Sequence, residues 1–316
     1  MPTSSPSLPP ALADNLRVPP LFETHPAHHT ALGALPISRA LPTRGRRLIG
    51  PWCFLDRYGP LSFTDEKPMD VAPHPHIGLQ TVSWLVEGEV VHHDSLGCEA
   101  VVRPGGVNVM TAGRGIAHSE ETPRGNVGRL SGVQLWAALP RAHRDVAPSF
   151  DPVERVPREE PRGGIVQTFM NGGYADIIGI DAEVHRGETL TMPARAEREH
   201  GVMILGGDAE FDGHRLERDA IHYLGTGRSE LAFRSSSGAR LLLIGGEPFP
   251  DPIVMWWNFV AGTPEEIAAA REDWEQHRRF GEVRAYDGPR IPARRAAHPR
   301  AAAPPRVVRD PEPKAR

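Results

Sequence analysis

The chain has 316 residues, 33 of them proline and 32 glycine, with 39% hydrophobic side chains and a formal net charge of −4. This length supports two domains with real cores, and the density of turn formers favours many short strands over long helices. The negative balance argues against direct nucleic-acid binding, and the absence of any run of about eighteen apolar residues argues against a membrane span.

Residues 1–30 are rich in proline and serine, lack periodicity and are expected to be a disordered lead-in. The first residues show neither a basic nor an apolar signal region, so a cytoplasmic location is expected. Two isolated cysteines, Cys53 and Cys98, agree with that, since they make neither a disulfide framework nor a Cys-x-x-Cys site. Both are expected to be buried small residues. His25, His28 and His29 of the lead-in are expected to be solvated.

Arg46–Gly50 and Trp52–Asp56 read as short strands. Asp56-Arg57-Tyr58-Gly59-Pro60 reads as a turn, with Asp56 a turn or capping carboxylate. His74-Pro75-His76 follows. Proline cannot donate to a ladder, which places this segment at a strand start or a sheet edge. Leu79 to His92 is β-branched and aromatic and turns at Glu87-Gly88-Glu89, the pattern of a hairpin. His92, His93 and Asp94 begin the return and are candidates for orienting nearby ligands. Val107–Ala112 is a further strand, and it runs into the glycine-dense turn Gly113–Gly115. Beyond that turn stands His118-Ser119-Glu120.

Residues two apart in a strand point to one face. His74 and His76 therefore form one pair of metal-capable side chains, and His118 and Glu120 another. If the two strands lie side by side in a small antiparallel barrel, all four converge. Three imidazoles and a carboxylate suit one divalent first-row metal such as Fe, Mn, Ni, Co, Cu or Zn.

Residues 127–139 look like another buried strand. The polar, proline-punctuated stretch from Pro140 to about Gly163 marks the domain boundary. From 164 to 250 short strands recur about every ten residues, resembling a second copy of the first barrel. Its histidines (His185, His200, His214 and His222) are scattered, and no metal is expected there. Trp256 and Trp257 are expected to pack between the two halves rather than line a pocket. Thr263 is a plausible helix N-cap, followed by Pro264, Glu265 and Glu266, with Arg278 and Arg279 at the far end. From Arg284 to Arg316 there are nine basic and three acidic residues, read as a disordered solvated tail.

The runs His74-Pro75-His76-Ile77-Gly78-Leu79-Gln80-Thr81-Val82 and Met110 to Glu120 resemble the pirin family of the cupin superfamily. Phe54-Leu55-Asp56, His92 to Gly97, Gly246-Glu247-Pro248-Phe249 and Ile253 to Val260 add to the likeness, which spans about residues 40–285. It implies an all-β bicupin, two antiparallel jelly-roll barrels packed face to face, with a C-terminal helix. The corresponding divisions are 1–30 lead-in, 31–145 first cupin domain with the metal, 146–262 second cupin domain without one, 263–283 helix and 284–316 tail. It also implies one non-haem metal, Fe(II) first, held by His74, His76, His118 and Glu120. Where the general cupin motif has glutamate this chain has Gln80, which is left out of the ligand set. The resemblance implies a quercetinase-like dioxygenase that cleaves flavonols with O2 and releases carbon monoxide; the chemistry of such a site would let Glu120 take the hydroxyl proton as base. The alternative is a metal- or redox-dependent regulator that binds a protein partner without turnover.

Overall fold

The computed structural model describes residues 21–293, apart from residues 34, 65, 66, 124, 126 and 127. Almost all regular structure is β, arranged in two domains of two sheets each. In the first domain a seven-stranded antiparallel sheet runs in the order Ser149–Val153, Val107–Thr111, Leu79–Glu87, Gly128–Ala138, Trp52–Phe63, Leu35–Leu41, His28–Leu32. A four-stranded sheet of Asp70–His76, Ile116–Glu121, Val90–Asp94 and Glu99–Val102 packs against it. Val71, Val90 and Val102 meet Ile37, Tyr58 and Leu85 in the shared core. The second domain repeats the plan with six strands and four. Its interior is filled by Leu190, Phe211, Leu231 and Phe233 against Ile180 and Leu241.

Alternation along the strands decides what each face does. Leu55, Val82, Trp84, Val133 and Leu135 point away from the first domain's interior. They form one core with Phe169, Met203, Leu242 and Ile244 of the second domain's large sheet. Trp84 stacks on Phe169 with ring centroids 5.0 Å apart, and its Nε1 donates to Asp181 Oδ2 at 2.6 Å. The intervening residues Phe54, Asp56, Tyr58, Gln134 and Trp136 face the first domain's cavity.

Several expectations change. The lead-in is strand, not coil, from residue 23: Glu23–Pro26 pairs with Ala220–Gly225 of the second domain, and His28–Leu32 pairs with Leu35–Leu41. Backbone pairing at a sheet edge needs no hydrophobic alternation, so no residue pattern in this segment announces it. Residues 1–20 lie outside the described residues. Ser149–Val153, beyond the expected boundary at 145, pairs with Val107–Thr111 in the first domain's sheet. Asp56 is not a turn residue. It lies inside the twelve-residue strand Trp52–Phe63 and is 4% exposed. Leu79–Glu87 and Val90–Asp94 are not a hairpin, because the turn at Gly88 carries the chain from one sheet to the other. Cys53 is buried and Cys98 is partly exposed.

After residue 250 the chain returns to the first domain. The strands Val254–Trp256 and Phe259–Ala261 pair as a hairpin, and Val260 N donates to Ile77 O at 3.2 Å. Gly78 makes this approach feasible: its φ is +65°, and a Cβ there would collide with the Val260 carbonyl oxygen. The helix begins as expected, Thr263 Oγ1 accepting from Glu266 N, but it ends at Glu275, so Arg278 and Arg279 lie beyond it. Trp256 and Trp257 join the cluster of Ile77, Phe259, Trp274 and Phe280 on the first domain rather than filling the space between the halves. The first part of the expected tail, residues 284–293, includes contacts with the helix and the first domain. Trp274 Nε1 donates to Ile291 O at 2.9 Å and Ile291 N donates to Pro73 O at 2.8 Å. The remainder of the tail, from 294, lies outside the described residues. Among the described residues no helix is long and apolar enough to cross a membrane.

Candidate metal centre

Asp70–His76 is the edge strand of the four-stranded sheet, where Pro75 requires it to be. It pairs with Ile116–Glu121 in a register that sets His118 opposite His74 and Ile116 opposite His76. A histidine pair and a single histidine distant in sequence thereby become one cluster. His74, His76 and His118 can each offer a ring nitrogen such that all lie within 4.8 Å of one another. They are 6%, 1% and 1% exposed. Among the described residues this is the one group of three such side chains placed to hold a metal ion.

The hydrogen bonds assign the tautomers. His74 Nδ1 donates to Ala72 O at 2.9 Å and His76 Nδ1 donates to Asn258 O at 3.0 Å, because carbonyls can only accept. His92 Nε2 donates to Asp94 Oδ2 at 3.1 Å, which leaves His92 Nδ1 as an acceptor for His118 Nδ1, 3.3 Å away. Asp94 is itself held by the amides of Leu96 and Cys98. Burial works to raise its pKa, but these donors together bring it below the ordinary range. Each of the three candidate ligands therefore presents an unprotonated Nε2. His76 Nε2 and His118 Nε2 face each other at 3.0 Å with no proton left to share. Burial drives all three imidazoles towards the neutral form, His74 to about 4 and His76 and His118 well below 6.5. Neutral imidazoles with converging lone pairs fit a divalent cation.

Glu120 lines the same cavity, yet its carboxylate is not part of the three-histidine group. A register shift separates it from His118, so that it pairs with Val71. Its Oε1 lies 3.3 Å from Ser83 Oγ, which is closer to Gln134 Oε1, at 2.7 Å. One hydroxyl proton cannot serve both acceptors fully. Burial therefore dominates and lifts the Glu120 pKa to about 7. Gln80 is occupied elsewhere, its Nε2 donating to Thr111 Oγ1 at 2.9 Å.

The cavity has a volume of about 520 Å³. Phe54 and Trp136, stacked at 4.0 Å, form part of its wall. Arg39 forks onto Asp56 at 2.8 and 2.7 Å. Arg39, Asp56, Gln134, Ser83 and Asn108 occupy matching positions on five adjacent strands, a polar row across the large sheet. Sequence reading missed this row. The alternation of polar Asp56, Ser83 and Gln134 with buried apolar neighbours was the available signal.

Two outcomes follow from this geometry. Replacing His92 with phenylalanine keeps the ring stacked on Phe150 but removes the acceptor for His118 Nδ1. Metal affinity should fall by about 10–100-fold, measurable by competition with a chelating dye; an unchanged affinity would rule out the relay. In metal-free protein, His74 and His200 both stay neutral down to about pH 4 because they are buried. In the unfolded chain both take a proton near pH 6.5. The unfolded state then binds more protons, so stability should fall as pH drops from 6.5 to 4, with a slope of about 1.4 kcal/mol per pH unit for each imidazole. Melting curves at pH 7 and 4.5 check this, and equal midpoints would refute it.

Comparison with known proteins supplies independent findings. A family model described as Pirin matches residues 34–137, and one described as Pirin C-terminal cupin domain matches residues 179–281. A Pseudomonas aeruginosa protein named "Putative quercetin 2,3-dioxygenase" is 43% identical over 272 residues, covering 83% of this chain and 86% of that protein. Mouse "Pirin" is 30% identical over 270 residues, covering 75% and 88%. The crystal structure of an Acinetobacter baumannii protein named quercetin 2,3-dioxygenase superposes with a TM-score of 0.84 at 39% identity, covering 89% of this chain and 97% of that one.

Proposed function

The chain belongs to the pirin family, and from that premise we propose that it is a metal-dependent dioxygenase of the quercetin 2,3-dioxygenase type. The substrate would be a flavonol. It takes up one O2, both bonds to its C3 break, and that carbon leaves as carbon monoxide. His74, His76 and His118 are the proposed ligands of one divalent metal, Fe(II) first. Glu120 is proposed as proton acceptor, and as fourth ligand once a cation attracts its carboxylate. A bound ferrous ion supplies the redox partner for O2 and a Lewis-acid hold on the flavonol oxygen.

Support comes above all from the facing lone pairs of His76 and His118, which lack any proton to separate them. The chain's other contributions follow from its own residues. Three bonds made by Nδ1 atoms hold the imidazoles in place, so the site is preorganised. A carboxyl with a pKa of about 7 can take the 3-hydroxyl proton near neutral pH. A cavity of about 520 Å³ is of the size that encloses small-molecule ligands.

Aerobic assay of protein loaded with iron, manganese or nickel, with elemental analysis of protein purified without added metal, tests this reading. Loss of quercetin absorbance with carbon monoxide release is expected; no turnover by any loaded form would overturn it. Metal binding without turnover, together with partner binding that changes with oxidation state, would favour the regulatory alternative. Glu120→Gln should lower turnover by about 10²–10⁴-fold while the metal content holds near one per chain. Full activity in that variant would remove Glu120 from the mechanism.

A further inference from the structure

The hairpin Val254–Trp256 and Phe259–Ala261 closes through a two-residue turn, Trp257-Asn258, with Trp256 opposite Phe259. Trp257 has φ +53°. Glycine is the default residue in that region, and a bulky aromatic there is an outlier that persists only where its surroundings over-determine it. The surroundings here do so. Phe259 meets Trp257 edge-on at 5.5 Å and stacks on Phe280 at 5.8 Å. The turn's other residue, Asn258, uses its carbonyl oxygen to accept from His76 Nδ1. Both turn residues line the cavity of the three histidines. The stacked pair Phe54 and Trp136 lines it from the large sheet, a different element of the fold.

A strained position has thus been given a large flat ring in contact with the cavity, on the same turn that fixes a candidate metal ligand. We propose that Trp257 is a specificity-determining residue: its indole is a stacking wall for a planar aromatic substrate at the histidine site. This rests on the flavonol reading above. It adds that selection among ring substrates depends on a residue from the hairpin that follows the last strand of the second domain's large sheet.

The test uses metal-loaded protein and the variants Trp257→Gly, Trp257→Phe and Trp257→Leu. Quercetin affinity is measured by calorimetry without oxygen, alongside KM, kcat, metal content and melting temperature. The glycine variant should bind quercetin about tenfold or more weakly, since a lost aromatic stack is worth about that factor. Its KM should rise more than its kcat falls. Its metal content should be unchanged, and relief of the left-handed backbone should offset part of the packing lost from Phe259, so its melting temperature should fall by no more than a few degrees. Phenylalanine should retain affinity to within about threefold, and leucine should not. Wild-type affinity in the glycine variant would overturn the proposal. If glycine costs metal or fold, the phenylalanine and leucine variants decide, and equal affinity in those two would overturn it. If wild-type protein binds quercetin but never turns it over, the dioxygenase reading fails while the binding comparison still judges Trp257. If wild-type protein does not bind quercetin at all, both fall.

Discussion

Replacing His118 with alanine is expected to reduce bound metal from about one per chain to a small fraction and to cut flavonol turnover by about three orders of magnitude or more. A Lewis-acid metal contributes several kcal/mol to charge stabilisation in the transition state, and each 1.4 kcal/mol is tenfold in rate. His118 sits at the centre of the cluster. Its ring centroid is 4.4 Å from that of His74 and 4.9 Å from that of His76, and its Nδ1 is engaged by His92. Alanine therefore removes one of the three proposed ligands and also leaves His92 Nδ1 without its donor. The fold should survive, since the strand Ile116–Glu121 is paired on both sides. Elemental analysis of the purified variant beside the wild type checks the first claim, and the quercetin assay checks the second. A variant that keeps stoichiometric metal would show that His118 is not a ligand.

Replacing Trp84 with alanine should have the largest effect on stability. The side chain is fully buried between the two domains. Truncation removes the stack on Phe169 and leaves a cavity, a loss of about 3–5 kcal/mol. Asp181, 3% exposed, loses the indole donor but keeps Arg240 at 2.6 Å, so its charge is not stranded. For a chain of this size each kcal/mol corresponds to about 2–4 °C, and the melting temperature should fall by about 10–15 °C. Trp84→Phe keeps most of the packing and loses the hydrogen bond to a charged acceptor, about 2 kcal/mol. Trp84 points away from the cavity, so metal content in the folded fraction should not change. Calorimetry of the three proteins tests the ranking; a melting temperature for the alanine variant within a few degrees of wild type would contradict the packing described.

The sequence by itself determined much of this protein. The His-x-His and His-x-Glu pairs, the proline that marks an edge and the regular spacing of short strands are local features, because strand periodicity acts over two residues and turn chemistry over four. They were enough to anticipate an all-β architecture in two units and the three histidines that now meet. Tertiary structure alone decided the rest. The register between Asp70–His76 and Ile116–Glu121 set three imidazoles together and left the Glu120 carboxylate beside Ser83. Edge pairing recruited Glu23–Pro26 and Ser149–Val153, because backbone donors and acceptors need partners whatever the side chains are. Asn258 and Trp257, nearly two hundred residues from His76, reach the cavity because Gly78 lets the hairpin dock on the motif strand. Contacts across such distances are fixed by packing complementarity rather than by any short-range pattern, so no local reading of the residues contains them.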